Sequence, residues 1–359
     1  MLKGIGKILF SLLVSFLVFS IAPNLALPAF ADTTQCQQQT ISVTLSPLDS
    51  TQYQMVTWLC WEGNLQGKTL QIVIHGVTYD HNYWDFPYQG SHYSYVTKAL
   101  DQGYAVLNLD RIGAGLSDHP NDTLVSLTSG AYTIHQLITD LRTGIFANTL
   151  FSKIILVGHS GGSGIAILDA STYQDVDGII LSGFGHVLNP AGFTLVANDF
   201  YPAILDPKFA NSGYTPGYIT TKPGTRGQLF YDLSNADPNV VSLDETLKQA
   251  GTAEELADLP HVLLPSVSLS VHVPVLIALG QFDALGCGGV VSCADAATIL
   301  GREQPFFNPD ACLEAFVLPN SGHDINLHLN SHDWYTFAND WANRRIGNSA
   351  TNPPIQPCL

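Results

Sequence analysis

The stretch LVGHSGGSG, residues 156–164, places a serine among glycines between two apolar runs. Glycine loses more conformational freedom on folding than any other residue, so this density implies a geometry that only glycine meets. On one side, KIILVGH (153–159) reads as a buried parallel strand; on the other, GIAILDAS (164–171) reads as an apolar helix. Strand, G-x-S-x-G, helix is the signature of a sharp turn that holds Ser160 at its tip with the hydroxyl exposed. Gly158 and Gly162 permit the turn. Gly161 brings a backbone N–H to the start of the helix, where developing negative charge is favoured.

Further strands lie on either side. LQIVIHG (70–76), YAVLNLD (104–110), GIILSG (178–183), VPVLIALG (273–280) and EAFVLP (314–319) are continuous apolar runs of strand length. Between them lie helical patterns: about 91–102, stopped by Gly103; a long helix with Ile134, Leu137, Ile138, Leu141 and Ile145 on one face; and a last helix from Ser331 to Gly347 with Trp334, Phe337, Ala338, Trp341 and Arg345. Alternating strands and helices predict an α/β fold, a mostly parallel central sheet with helices on both faces. Ile41, Val43 and Leu45, then Val56, Trp58 and Cys60, alternate as an antiparallel edge pair. Residues 186–270 do not extend the sheet. They carry the turn pairs Pro216-Gly217 and Pro223-Gly224 and two capping boxes, Ser242–Glu245 and Thr252–Glu255, and read as a cap between core segments 32–185 and 271–359.

Gly158-His159-Ser160-Gly161-Gly162 resembles the nucleophile elbow of the α/β-hydrolase superfamily of serine esterases and lipases, a likeness spanning roughly 68–186 and 271–346 and failing in the cap. The resemblance implies the chain order nucleophile, acid, histidine. A serine hydroxyl needs a base, and the base needs an orienting acid. His323, in LPNSGHDINLH (318–328) after the last strand, matches the family's histidine, and Asp283, in LGQFDALG (279–286), its acid. Asp295 and Asp324 are rival acids. IVIHGVTYD (72–80) carries the family's H-G signature, which implies the Val77 N–H as a second oxyanion donor beside that of Gly161, with His75 shaping the turn. Tyr79, Tyr83 and Trp84, in the aromatic tract that follows, are candidate walls of an apolar substrate pocket. In DRIGAGLSDHP (110–120), Asp110 and Arg111 are expected to pair with each other. His328 and His332 follow His323 without a carboxylate ligand pattern, so no metal or other cofactor is assigned.

Residues 1–31 read as a cleaved secretory signal: Lys3 and Lys7, an apolar run from Ile8 to Phe19, and Ala29-Phe30-Ala31 as the cleavage signal. The expected location is therefore secreted, extracellular or periplasmic. No later run is apolar for long enough to span a membrane. Those lysines carry the segment's only charges, so cleavage takes the formal net charge from −16 to −18. Such acidity disfavours nucleic acid or an anionic membrane as partner. Six cysteines in the exported part suggest disulfides: Cys287 with Cys293, Cys36 with Cys60 and Cys312 with Cys358, the rival being Cys293 with Cys312. The expected activity is ester hydrolysis through an acyl-enzyme, on a small and apolar ester. A lactonase, peptidase, acyltransferase or C–C hydrolase could use the same triad. A non-catalytic binding protein is disfavoured because every triad member is present. The sequence does not fix an oligomeric state.

Overall fold

The computed structural model describes residues 34–356, apart from 147, 353 and 355. The expected signal segment and Cys358 lie outside the described residues. In chain order the first strands are β1 (Gln35–Val43), β2 (Tyr53–Trp61), β3 (Leu70–Ile74), β4 (Ala105–Leu109), β5 (Ile154–His159) and β6 (Gly178–Ser182). The insertion supplies three short strands, β7 (Phe200–Pro202), β8 (Tyr218–Thr221) and β9 (Gly251–Thr252). Strands β10 (Val275–Gly280) and β11 (Glu314–Leu318) complete the set. Three helices separate the core strands: α1 (Tyr95–Asp101), α2 (Leu127–Thr143) and α3 (Gly161–Thr172). The insertion holds α4 (Pro190–Asp199), α5 (Arg226–Phe230), α6 (Pro238–Leu247), α7 (Ala253–Ala257), α8 (Leu259–Val262) and α9 (Pro265–Ser268). Helices α10 (Ala296–Glu303) and α11 (Ser331–Arg345) flank β11.

The central sheet has the order β1-β2-β4-β3-β5-β6-β10-β11, and β7-β8-β9 form a separate small sheet. Pairings from β4 through β11 are parallel, while β1–β2 and β2–β4 are antiparallel. Every residue of β3, β4, β5 and β6 is buried, which explains their unbroken apolar runs: helices cover both faces. The chain leaves β3 towards β4 on one side and returns to β5 on the other. That reversal opens a crevice at the carboxyl ends of β3 and β5, where ligands of open parallel sheets bind.

Cys36 and Cys60 face each other across the β1–β2 ladder and form a disulfide. A second joins Cys287 and Cys293, which excludes the rival Cys293–Cys312 pairing. Strand β1 begins at Gln35, ahead of the apolar alternation, because its exposed glutamines join the backbone ladder with β2 without burying their side chains. Helix α1 starts later than the sequence suggests, at a Ser94 cap that accepts from Thr97 N–H. Gly144, in the left-handed conformation, ends α2, so Ile145 lies beyond the helix and is 74% exposed rather than on its buried face. Thr252–Glu255 is a reciprocal capping box as expected. Ser242 is not a cap: it sits inside α6, which starts earlier with Asp237 as cap and Pro238 in its first turn.

Candidate active site

Close approach explains the glycines around Ser160. A Cβ on Gly158 would lie 2.5 Å from Gly162 O and from Ser163 N, and one on Gly162 would lie 2.2 Å from Ile74 O. Ser160 itself adopts φ 51°, ψ −118°, a conformation that non-glycine residues rarely hold. Its N–H donates to Ser182 O at 2.8 Å, which ties the turn to β6. Ser160 remains partly exposed at the tip between β5 and α3. A Cβ on Gly161 would meet Val77 Cγ2 at 2.8 Å and Val77 N at 3.5 Å, so the turns after β3 and β5 face each other across a narrow gap.

His323 follows β11 and Asp283 follows β10, on neighbouring strands. His323 Nδ1–H donates to Asp283 Oδ2 at 2.9 Å, while Asp283 Oδ1 accepts the N–H groups of Leu285 and Gly286 at 2.9 and 3.1 Å. Both residues are buried. Burial pushes the Asp283 carboxyl up, but the His323 imidazole and those two N–H groups outweigh it and hold the carboxyl below its usual range. Burial pushes the His323 imidazole down; Asp283 outweighs that and leaves it raised. Asp324 has the opposite character. Burial lifts its carboxyl to about 6 despite His323, Arg226 and the Tyr79 hydroxyl, which donates to its Oδ2. Its Oδ1 lies 3.2 Å from His159 Nε2, not aligned as a hydrogen bond. Of the two carboxyls beside His323, Asp283 is the one suited to remain ionised and orient the ring. Asp295 is the exposed cap of α10.

Ser160, His323, Val77 and Gly161 meet at one cavity of about 370 Å³. Ser160 and His323 line it without a hydrogen bond joining them. Elsewhere its wall is mostly apolar, with Leu127 and Phe184 from the core and Phe193, Val196, Leu256 and Leu259 from the insertion, and Glu255 is the one acidic residue in it. Tyr79 contributes to the wall, but Tyr83 and Trp84 do not. Both are buried beneath it, Tyr83 stacked on His159 with ring centroids 4.1 Å apart and Trp84 packed edge-on against Tyr83 and Tyr95. Large aromatics after a strand end filled the core here rather than the cleft.

Other expectations also change. Asp110 and Arg111 do not pair: Asp110 binds His81 at 2.8 Å, and Arg111 forms its ion pair with Glu255 of the insertion. His328 Nε2 accepts two backbone N–H groups, of Gly322 and Asp232, both at 3.0 Å, and so holds the His323 loop. Among the described residues, Asp80, His81 and Asp110 alone are clustered closely enough to hold a cation. Their oxygens already accept from Asn82, Gln249, His81 and Leu116.

A family model described as the alpha/beta hydrolase family matches residues 71–336. The chain belongs to the alpha/beta hydrolase family. Among solved structures, this hydrolase is similar to a soluble variant of monoglyceride lipase from Saccharomyces cerevisiae, with a TM-score of 0.60 and 16% identity over 88% of this chain and 97% of that one. It is also similar to a thermostable carboxyl esterase from Bacillus coagulans, with a TM-score of 0.57 and 16% identity over 85% and 98% of the two chains. These likenesses show the fold. A proline iminopeptidase from Saccharolobus solfataricus is 42% identical over 84 residues, which are 22% of this chain and 24% of that protein. The hydrolase thus spans about a quarter of the curated relative's length.

Sequence reasoning missed a buried network under the cavity. Arg226 in α5 grips Asp244 in α6 with two bonds (2.8 and 2.9 Å), donates to Thr78 Oγ1 at 3.1 Å, and stacks 4.2 Å from the Tyr79 ring. The Phe230 carbonyl accepts Asp324 N–H at 2.9 Å and fixes the His323 loop from the insertion side. Nothing local in the sequence marks these residues, because each partner lies far away along the chain.

Proposed function

We propose that this alpha/beta hydrolase is an exported serine hydrolase that cleaves small esters with an apolar acyl group. The observation that carries the reading is the 2.9 Å His323–Asp283 hydrogen bond at the wall of the cavity that Ser160 also lines. Ser160 Oγ attacks the ester carbonyl carbon while its proton passes to His323 Nε2. The Val77 and Gly161 N–H groups receive the carbonyl oxygen as it becomes an oxyanion. Collapse expels the alcohol, protonated by His323, and leaves the acyl group on Ser160. Water then repeats the sequence and releases the carboxylic acid. Asp283 keeps the Nδ1–H tautomer and steadies the imidazolium. The apolar walls supply most of the contact for the acyl chain. Among the described residues no helix is long and apolar enough to cross a membrane.

The test is labelling with a fluorophosphonate, together with a panel of p-nitrophenyl esters of graded chain length and matched p-nitroanilides, including the prolyl anilide. Labelling at Ser160 and turnover of esters above anilides is the expected result. Faster turnover of the prolyl anilide would replace the esterase reading with a peptidase one on the same residues.

A further inference from the structure

We propose that Arg111 is a positioning residue of the oxyanion site, held in place by Glu255 from the insertion. The inference rests on the serine-hydrolase reading above and adds to it how the Val77 donor is set. The peptide unit between Gly76 and Val77 has two ends. At one, the Val77 N–H faces the gap beside Gly161 and has no acceptor among the described residues. At the other, Gly76 O accepts two hydrogen bonds, from Arg111 Nη2 at 3.1 Å and from His75 Nδ1 at 2.9 Å. His75 Nε2 accepts the Arg111 backbone N–H at 3.1 Å, which assigns the ring proton to Nδ1. Burial, reinforced by the Arg111 charge, pushes this imidazole down to about 3, so it stays neutral in that tautomer at any working pH.

A carbonyl gripped by two donors cannot rotate its peptide plane, so the N–H on the far side keeps its aim. The same bonds polarise the amide and make that N–H a stronger donor, an effect that grows where water is excluded. Arg111 is itself fixed from outside the core. Its Nη1 binds Glu255, whose Oε2 accepts Thr252 N–H at 2.9 Å within the capping box of α7. Glu255 is buried and borders the cavity. Gly251 packs so closely that a Cβ there would meet Val77 Cγ1 at 2.5 Å. One peptide plane is therefore clamped by His75 and Arg111 from the core and by Gly251 and Glu255 from the insertion. The insertion takes part in transition-state stabilisation as well as in shaping the cavity.

The test uses the full chain with Arg111→Lys and Glu255→Gln, singly and together, each checked for a native unfolding transition. An ammonium is a point donor and does not reproduce the guanidinium fork that spans Gly76 O and Glu255. The Gln variant is isosteric and guards against a lysine variant that fails to fold. Losing a whole oxyanion donor costs on the order of a hundredfold to a thousandfold in kcat, so a donor kept but mis-set should cost roughly tenfold to a hundredfold. KM for p-nitrophenyl butyrate should stay within about twofold, since the ground-state ester makes little use of the donor. Affinity for butylboronic acid, which forms a tetrahedral adduct on the serine oxygen, should fall in proportion to kcat. The double variant should be no slower than Arg111→Lys alone, because the two act as a unit. A folded single variant with wild-type kcat, a kcat loss without loss of boronate affinity, or a Glu255→Gln enzyme faster than wild type would each overturn the proposal. A wild-type protein that neither hydrolyses esters nor labels with fluorophosphonate would instead refute the serine-hydrolase reading, and this inference with it.

Discussion

His186 and Ser268, one at each end of the insertion, are joined by a 2.8 Å hydrogen bond between Nε2 and Oγ. On its other side His186 Nδ1 binds Glu303 Oε2 at 2.8 Å, so serine, histidine and acid stand in the order of a catalytic triad. All three are buried, and His186 stacks on Phe306, so no substrate reaches them. The arrangement is a clasp. His186→Ala should therefore cost roughly 1–3 kcal/mol by stranding the Ser268 hydroxyl and removing one of the donors to Glu303, whose carboxylate keeps Arg302 Nε and the backbone N–H of residue 186, read by urea unfolding. In a Ser160→Ala protein, fluorophosphonate should not label Ser268; labelling there would show that the clasp opens to solvent.

Ser160 holds its strained backbone whatever its side chain does. Ser160→Ala keeps that strain and should lose on the order of a millionfold in turnover. Ser160→Gly should be equally inactive yet more stable than the alanine variant by about 1 kcal/mol, because glycine accepts a positive φ freely. Equal melting temperatures for the two would argue against strain at this turn.

Activity should rise with pH through the titration of His323, since the neutral ring is the base, and its midpoint should lie above the ordinary histidine value of 6.5. The sign for stability is opposite. A histidine raised by folding stabilises the fold fully below pH 6.5, and that contribution is lost as pH climbs through the raised value. His323 thus favours the fold most where it is least active. Asp283→Asn should pull the activity midpoint down and cost about ten-thousandfold in kcat. A pH–rate profile of the variant unchanged in midpoint would remove Asp283 from its role.

Asp324 titrates in the contrary sense to Asp283. Its carboxyl is raised from 3.8 to about 6 on folding, so the folded chain binds the proton more tightly and stability falls as pH rises across that window. The loss is on the order of 3 kcal/mol. Asp324→Asn should flatten the stability–pH curve between about pH 4 and 6. A curve as steep as the wild type's would place the proton elsewhere.

The Cys287–Cys293 bridge lies just beyond Asp283 in the same connection between β10 and α10, and Cys287 N–H donates to Asp283 O at 2.7 Å. Replacing both cysteines by serine should lower kcat by roughly tenfold to a hundredfold while costing only about 2 kcal/mol of stability, the closure entropy of a short loop. An unfolding midpoint that drops sharply with kcat preserved would reverse that assignment.

The sequence exposed what depends on neighbours along the chain. Apolar runs marked the buried strands, and Gly158 and Gly162 marked a turn whose crowding the structure explains atom by atom. Asp283 and His323 were legible because their loops follow strands whose order the resemblance supplied. Failures came where long-range packing decides. Tyr83 and Trp84 could line a cleft or fill a core, and only the position of His159 settles which. Arg111 had an acid beside it in sequence, yet its partner is Glu255, far along the chain. Ile145 kept the helical spacing, but Gly144 had already ended the helix.

Arg226 and Asp244 bear finally on how substrate comes and goes. Both side chains are shut away from water, and Arg226 also reaches Thr78 in the core, as Arg111 reaches Glu255 in the other direction. Lifting the insertion as a hinged flap would leave the Arg226–Asp244 pair intact but part Arg226 from Thr78 and Arg111 from Glu255, charge-bearing contacts worth about 1.5–3 kcal/mol each. Those contacts make the insertion closer to masonry than to a free-swinging door. Phe193, whose ring borders the cavity and is 52% exposed, stands where the cavity wall meets solvent. Trimming that ring to alanine should then widen the mesh, read as turnover of bulkier p-nitrophenyl esters that the wild type handles poorly.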